Sequence, residues 1–234
     1  MRLLLIDIEQ HDPLLNLEIE KKLLDIKDDY FVIRFWQNTP SVFLGKYQNH
    51  QFELNQSYLK QHSIPYFYRF TGGGTVYHDL GNLNITFSKP KAQTLENPFG
   101  KKDSRLISEC VKNAISAPSV DFEVSDRNAI YFKDKKLMGS AMSLTRDKFL
   151  FHASLLINSD LEQLRGCINW EPNYPEADKK IVHSIRNEVI NLSQINPISL
   201  NEVKQRFISE IKEIIKPNQT LLISEESQLA FFFR

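Results

Sequence analysis

The chain has 234 residues, 41% hydrophobic and 25% charged, a composition that suits a globular fold with one sizeable core and excludes a disordered or low-complexity protein. Lys+Arg and Asp+Glu balance at 29 each, which excludes a global basic footprint for nucleic acid, although Lys133–Lys136 is a local basic cluster. Two well-separated cysteines, Cys110 and Cys167, exclude a disulfide framework or a cysteine metal site, and Leu3–Ile6, followed at once by Asp7, is too short for a signal sequence or membrane span. Reduced thiols, a cytoplasmic location and no membrane or nucleic-acid partner are therefore expected.

Leu3–Glu9 reads as a strand. Asp12 is placed to cap a helix that Pro13 opens, with Leu14, Leu17 and Leu24 on its apolar side through about Ile26. Tyr30–Trp36 and Val42–Leu44 read as strands, Phe52–His62 as a helix, and Pro65–Phe70 as a strand leading into a glycine run. In Asn82–Ser88, Leu83, Ile85 and Phe87 share one strand face, and Asn84, Thr86 and Ser88 the other. Beyond a loop at Pro98–Lys101, the spacing of Leu106, Ile107, Cys110, Val111 and Ile115 predicts an amphipathic helix in which Cys110 is a small core residue. Val120–Val124, Ala129–Phe132, Lys136–Met142 and Phe149–Ile157 read as a second group of strands. Ser159–Leu164 is a short helix, Pro172–Pro175 a loop, and Leu200–Ile215 a long amphipathic helix. Strands outnumber helices without strict alternation, so the fold class is α+β, a mixed β-sheet with flanking helices.

The stretch RFTGGGTVYHDLGN, Arg69–Asn82, carries the densest chemistry. Three glycines without Cβ let a ligand lie against backbone amides, which receive anions, and Arg69 offers a planar fork of donors suited to carboxylate or phosphate. A plain hairpin turn is the competing reading. A β-like run follows the glycines, and the spacing matches neither the P-loop nor the dinucleotide fingerprint, which disfavours a Rossmann fold.

This segment resembles the signature of the lipoate-protein ligase A and lipoyltransferase family, relatives of biotin-protein ligase: Arg-Arg-x-Ser/Thr-Gly-Gly-Gly-x-Val-Tyr/Phe-His-Asp-x-Gly-Asn. Further blocks are similar in the same order: DPLLNLEIE at Asp12–Glu20, TPSVFLGKYQN at Thr39–Asn49, RNAIYFKDKKLMGSAM at Arg127–Met142, FHASLLINSDLEQL at Phe151–Leu164 and VHSIRNEVINL at Val182–Leu192. The resemblance implies a biotin/lipoate-protein ligase-like catalytic domain over residues 1–234, without the large C-terminal accessory domain of classical bacterial ligases.

The activity it implies is ATP-dependent: lipoate is activated as lipoyl-AMP and passed to a lysine of a carrier domain. ATP with Mg²⁺ and lipoate are the expected cofactor and substrate. Apo lipoyl domains of 2-oxoacid dehydrogenase E2 subunits, or the glycine-cleavage H protein, are the expected partners, alongside an optional accessory subunit. Lys136, three residues before Gly139 as in the family's Lys-x-x-Gly-Ser-Ala, is the implied central cation, bridging acyl carbonyl and phosphate; Lys135 is the register alternative on the other strand face. The remaining implied adenylate or ATP contacts are Arg69, Gly73, Gly74, Val76, His78, Asn82, Asn128, Gly139, Ala141 and His152. Val42, Leu44 and Val76 are candidates for the acyl pocket, with plain core as the default for each. No dedicated metal ligands are expected.

Four positions depart from the family pattern: Tyr68 stands for the first arginine, Ala129 for the acid of Asn-Asp-Ile, and Phe151 and Ala153 for the first His and the Gly of His-His-Gly-Thr. Octanoyltransferase relatives place a nucleophilic cysteine before a Phe-Glu pair, where this chain has Asp121 before Phe122 and Glu123, so a thioester mechanism is disfavoured. Two alternatives stay open: a lipoyltransferase using preformed lipoyl-AMP or a lipoylated carrier, including half of a two-subunit ligase, and a non-catalytic carrier-binding homologue. Biotin attachment ranks below these.

Overall fold

The structure, a computed structural model, describes residues 2–26, 30–91, 101–174 and 182–229. The loop expected at Pro98–Gly100 and the end of the one at Pro175 lie outside them. In chain order the elements are β1 (Arg2–Asp7), α1 (Pro13–Lys22), β2 (Tyr30–Trp36), β3 (Ser41–Leu44), α2 (His50–Glu53), α3 (Gln56–Gln61), β4 (Tyr66–Tyr68), β5 (Val76–His78), β6 (Asn82–Pro90), α4 (Lys101–Ile115), β7 (Phe122–Val124), β8 (Ile130–Phe132), β9 (Lys135–Leu144), β10 (Lys148–Leu156), α5 (Leu161–Cys167), α6 (Leu200–Ile215), β11 (Gln219–Ile223) and α7 (Glu226–Leu229).

Eight strands form one mixed sheet in the order β11-β1-β2-β6-β10-β9-β8-β7, and three form a small sheet, β4-β3-β5. β1 runs parallel to both β11 and β2, and the other pairings of the large sheet are antiparallel. The alternation read in Asn82–Ser88 sets the two faces. Leu83, Ile85 and Phe87 join Phe31, Ile33, Phe35, Phe149 and Phe151 in the main core, where α4 and α6 cover them with Ile107, Cys110, Val111, Val203, Phe207 and Ile211. Each such side chain contributes about 1.5–3 kcal/mol through burial.

The other face of the same strands is polar and carries the site. Antiparallel register sets Thr86 opposite both Arg34 and His152, and Ala141 opposite His152 on the far side, while Ser154 lies between Asn84 and Gly139. β2 is buried along its whole length, yet it contains Arg34. α1 supplies that cation's partners, which is why its buried face is Pro13, Asn16, Ile19 and Glu20, and not the leucine stripe expected from spacing; Leu14 is exposed.

The helix expected over Phe52–His62 is two helices. Asn49 caps the first by accepting from the Gln51 amide, and Asn55 restarts the second by accepting from the Tyr58 amide, with Leu54 extended between them and bridged to Ile168. β5 and β11 were not expected. β5 is only three residues long, and β11 is an edge strand whose exposed, non-alternating side chains give no two-residue pattern. No helix among the described residues is long and apolar enough to cross a membrane.

Candidate active site

A cavity of about 560 Å³ opens between the polar face of the large sheet and the small sheet. Its roof is the glycine loop. Gly73 adopts φ +89°, a conformation that side chains rarely take, and the loop bends around Arg69. Arg69 is buried: its Nε donates to Thr71 Oγ1 at 3.0 Å, one Nη to the Phe43 carbonyl at 3.1 Å, and the other Nη to the carbonyls of Gly72 and Gly74 at 2.7 and 2.6 Å. Burial pushes the guanidinium down to about 10, so it remains a cation at neutral pH. Arg69 thus holds the carbonyls inward. Among the described residues the amides of Gly72, Gly73 and Gly74 have no hydrogen-bond acceptor, and Gly73 and Gly74 line the cavity.

Lys136 lies on the opposite wall at the start of β9, beside Gly139. Its backbone is clamped by the 182–191 segment: its amide donates to the Glu188 carbonyl at 2.8 Å, and its carbonyl accepts from the Ile190 amide at 3.1 Å. Among the described residues its ammonium makes no hydrogen bond or ion pair. Burial lowers the ammonium pKa, and the charge of Arg127 lowers it further. Lys135, by contrast, is exposed.

The floor holds a buried polar cluster. Glu20 accepts from Arg34 at 3.2 Å and Thr86 at 2.7 Å through one oxygen, and pairs with His152 Nδ1 at 3.2 Å through the other. Burial alone would raise the Glu20 pKa; the bond from His152, the charge of Arg34 and the Thr86 hydroxyl outweigh it, so Glu20 stays ionised. His152 Nε2 meets Thr71 Oγ1 at 2.9 Å. Leu17, Trp36 and Phe43 give the floor its apolar surface.

His78 is buried against Trp36 and Phe43, and its Nδ1 accepts from Asn38 Nδ2 at 3.0 Å, which leaves the ring proton on Nε2. Burial first, then Arg69 and His152, push its pKa down to about 3. The ring is neutral at physiological pH.

The walls are tied together by Gln48. Its Oε1 accepts from the Gly45 amide at 2.8 Å and the Thr75 hydroxyl at 3.1 Å, and its Nε2 donates to Ser184 Oγ at 2.7 Å, which also accepts from the Thr75 amide. Glu53, buried and paired with Arg186 at 3.0 Å, holds the Ser184 amide.

Of the residues singled out in the sequence, Arg69, Gly73, Gly74, Val76, His78, Lys136, Gly139, Ala141 and His152 all line this cavity. Four do not. Val42 and Leu44 point into a separate core beneath the small sheet, and Phe43 between them faces the cavity, because neighbours on a strand alternate. Asn82 is fully buried, accepting from the Asp79 amide and donating to Ser154 Oγ; it fixes the turn after the loop. Asn128 takes a left-handed turn conformation and donates to Ser104 Oγ.

Glu20, Arg34, Gln48, Asp126, Arg127 and Ser184 were missed. The arginine inside the apolar run YFVIRFW was a readable signal, because a cation in a buried strand demands a partner. Phe151 belongs to the main core, Tyr68 bonds His50 away from the cavity, and only Ala129 and Ala153 among the departures border the cavity. Both cysteines are buried, and burial pushes each thiol up to about 12.

Residues 12–212 match the family described as the lipoyl protein ligase A/B catalytic domain. The chain belongs to this family. Within it, the chain is similar to lipoate–protein ligase 1 of Staphylococcus aureus strain Mu50, 32% identical over 205 residues that cover 86% of this chain and 60% of that protein. It therefore spans about 60% of the length of that curated relative. The fold is like that of the bi-partite lipoate protein ligase of Thermoplasma acidophilum, described with its E2 lipoyl domain (TM-score 0.77, 25% identity, 99% of this chain and 91% of that one). It is also like P. falciparum LipL1 in complex with lipoate (TM-score 0.75, 26% identity, 96% of this chain and 66% of that one). The mixed sheet with flanking helices is thus the fold of this lipoyl ligase family.

Proposed function

We propose that this lipoyl ligase-family chain is an ATP-dependent lipoate-protein ligase that forms lipoyl-AMP in the cavity and transfers the lipoyl group to a lysine of a lipoyl domain. One observation carries the reading: the half-buried ammonium of Lys136, without a partner among the described residues, shares a cavity with Gly73 and Gly74 of the glycine loop and with the apolar side chains of Leu17, Trp36 and Phe43.

In this reading the acyl chain lies over Val76 and Phe43 with its tail against Leu17 and Trp36, and its carboxylate reaches Lys136. The carboxylate oxygen attacks the α-phosphorus of ATP, and pyrophosphate leaves. The lysine amine of the carrier then attacks the acyl carbonyl, AMP leaves, and the amine's proton is released. Negative charge develops on oxygen in both steps, and a desolvated, fixed ammonium and backbone amides stabilise it without reorganising. Lys136 acts as a cation throughout and forms no bond to the acyl group.

Of the described residues that line the cavity, Glu20 and Asp126 carry carboxylates. Glu20 is engaged by Arg34, Thr86 and His152, so Asp126 would be the protein ligand to Mg²⁺ arriving with ATP phosphates, a sparse set that suits this metal's habit of binding through substrate oxygens and water.

The acceptor is an E2 lipoyl domain or a glycine-cleavage H protein. Likeness to a ligase described with its E2 lipoyl domain supports the first, and the bi-partite nature of that ligase supports a second reading in which a separate subunit assists. Lipoate-dependent exchange of pyrophosphate into ATP tests adenylation: it should be present in the wild type and lost in Lys136→Ala with the fold retained. Exchange surviving in Lys136→Ala would overturn the assignment.

A further inference from the structure

Arg69, Thr71, His152 and Glu20 form one chain of side-chain hydrogen bonds, and its direction is fixed at both ends. Glu20 is a carboxylate and has no proton to give, so His152 Nδ1 must be the donor at their 3.2 Å contact. Arg69 has no lone pair, so Thr71 Oγ1 must accept from its Nε at 3.0 Å. Thr71 Oγ1 has a second lone pair, able to accept from a ring Nε2–H; with a neutral ring whose one proton is on Nδ1, the Thr71 hydroxyl donates to His152 Nε2 at 2.9 Å. A neutral ring with its proton on Nδ1 satisfies every member, and each donor points from the glycine loop toward Glu20.

Neutralising Arg34 does not account for all of this. Arg34 and Thr86 share Oε1 of Glu20, whereas Oε2 is turned to His152. At the other end, the Arg69 guanidinium held by Thr71 is the group that fastens the carbonyls of Gly72 and Gly74 at 2.7 and 2.6 Å. The chain therefore runs from the cavity floor, under the acyl tail, to the loop that receives the phosphate.

We propose that Glu20 is a positioning residue: through His152 and Thr71 it sets the plane of Arg69, and so the direction in which the glycine-loop amides face the cavity. The functional part rests on the reading of the cavity as an acyl-adenylate site. Floor and loop then act as one unit, and loosening the floor misaligns the phosphate end of the site.

The test combines NMR of ¹⁵N-labelled protein with ligation kinetics on Thr71→Val, Thr71→Ser and Glu20→Gln. In the wild type, His152 should show a protonated Nδ1 and an unprotonated Nε2. Thr71→Val leaves Arg34 and Glu20 paired and should fold. It should move the amide resonances of Gly72–Gly74 and lower kcat about tenfold or more, with the acyl KM little changed. Thr71→Ser should restore both, and Glu20→Gln should disturb the same glycine signals from the far end of the chain.

Glycine resonances unmoved in Thr71→Val and Glu20→Gln, or a wild-type His152 carrying its proton on Nε2, would overturn the positioning role. A wild type without ligation activity, but with the expected tautomer and glycine shifts, would overturn the functional reading and leave the positioning of the loop standing.

Discussion

The side chain of Lys136 folds back over Gly139, so that a β-carbon at 139 would stand 3.3 Å from its Cε and 3.4 Å from its Nζ. The first is tighter than most real β-carbon contacts, and the second is at the short edge of ordinary contact. Gly139→Ala should therefore displace the ammonium by a fraction of an ångström without disturbing β9, and, in the proposed reaction, lower kcat for ligation about tenfold, since small misplacements of a charge-stabilising group are costly. Thermal melting should change little. A full loss of folding, or wild-type kcat, would contradict this account of the contact.

In the proposed reaction the same lysine sets the pH dependence. Burial and then Arg127 lower its pKa, so its charge is present at low pH and lost as pH rises, earlier than for an ordinary lysine. Arg127→Gln removes the repulsion and should move the alkaline limb of the kcat profile to higher pH. A limb that stays in place or moves down would show that another group sets it.

Gly73 tests the loop. At φ +89°, with Arg69 Nη2 3.0 Å from the position of a β-carbon, alanine should cost about 1–3 kcal/mol of stability and reduce activity, read by denaturant melts and turnover. Gly72 has nothing within 4 Å of such a carbon and no positive φ, so Gly72→Ala should be the milder change.

Strand parity makes a further contrast. Leu44 is core and Phe43 is cavity wall, so Leu44→Ala should cost about 2–5 kcal/mol of stability with the acyl KM unchanged. Phe43→Ala should raise the acyl KM. The opposite pattern would favour the acyl-pocket alternative for Leu44 over its core reading.

Cys110 and Cys167 are buried thiols pushed up to about 12, far from the thiolate a nucleophile needs. Treating the folded protein with iodoacetamide at neutral pH should leave transfer intact. Loss of activity in step with alkylation would revive a thioester route.

The sequence made the large sheet legible because its strands are long and alternate, as in Asn82–Pro90, and the cavity lining legible where residue types are unusual, as in the glycine run and at Lys136. It left alternatives open or misled where short elements carry no period. Val42–Leu44 is too short to tell which parity faces a cavity, and the leucines of α1 suggested an apolar face where Arg34 required a polar one. The Gln48–Ser184 tie was hidden because it joins segments far apart in the chain, and hydrogen bonds between distant loops leave no spacing to read. Ala129 and Ala153 border the cavity, while Phe151 sits behind it in the core, a distinction that motif comparison alone does not draw.

Ligase activity is read by incubating the protein with lipoate, Mg-ATP and an apo E2 lipoyl domain and weighing the carrier by intact mass spectrometry, beside a reaction given lipoyl-adenylate instead of lipoate and ATP. Both reactions should add one lipoyl group to the carrier. Modification only from the preformed adenylate would contradict adenylation by this chain acting alone, and modification in neither would contradict the ligase assignment itself.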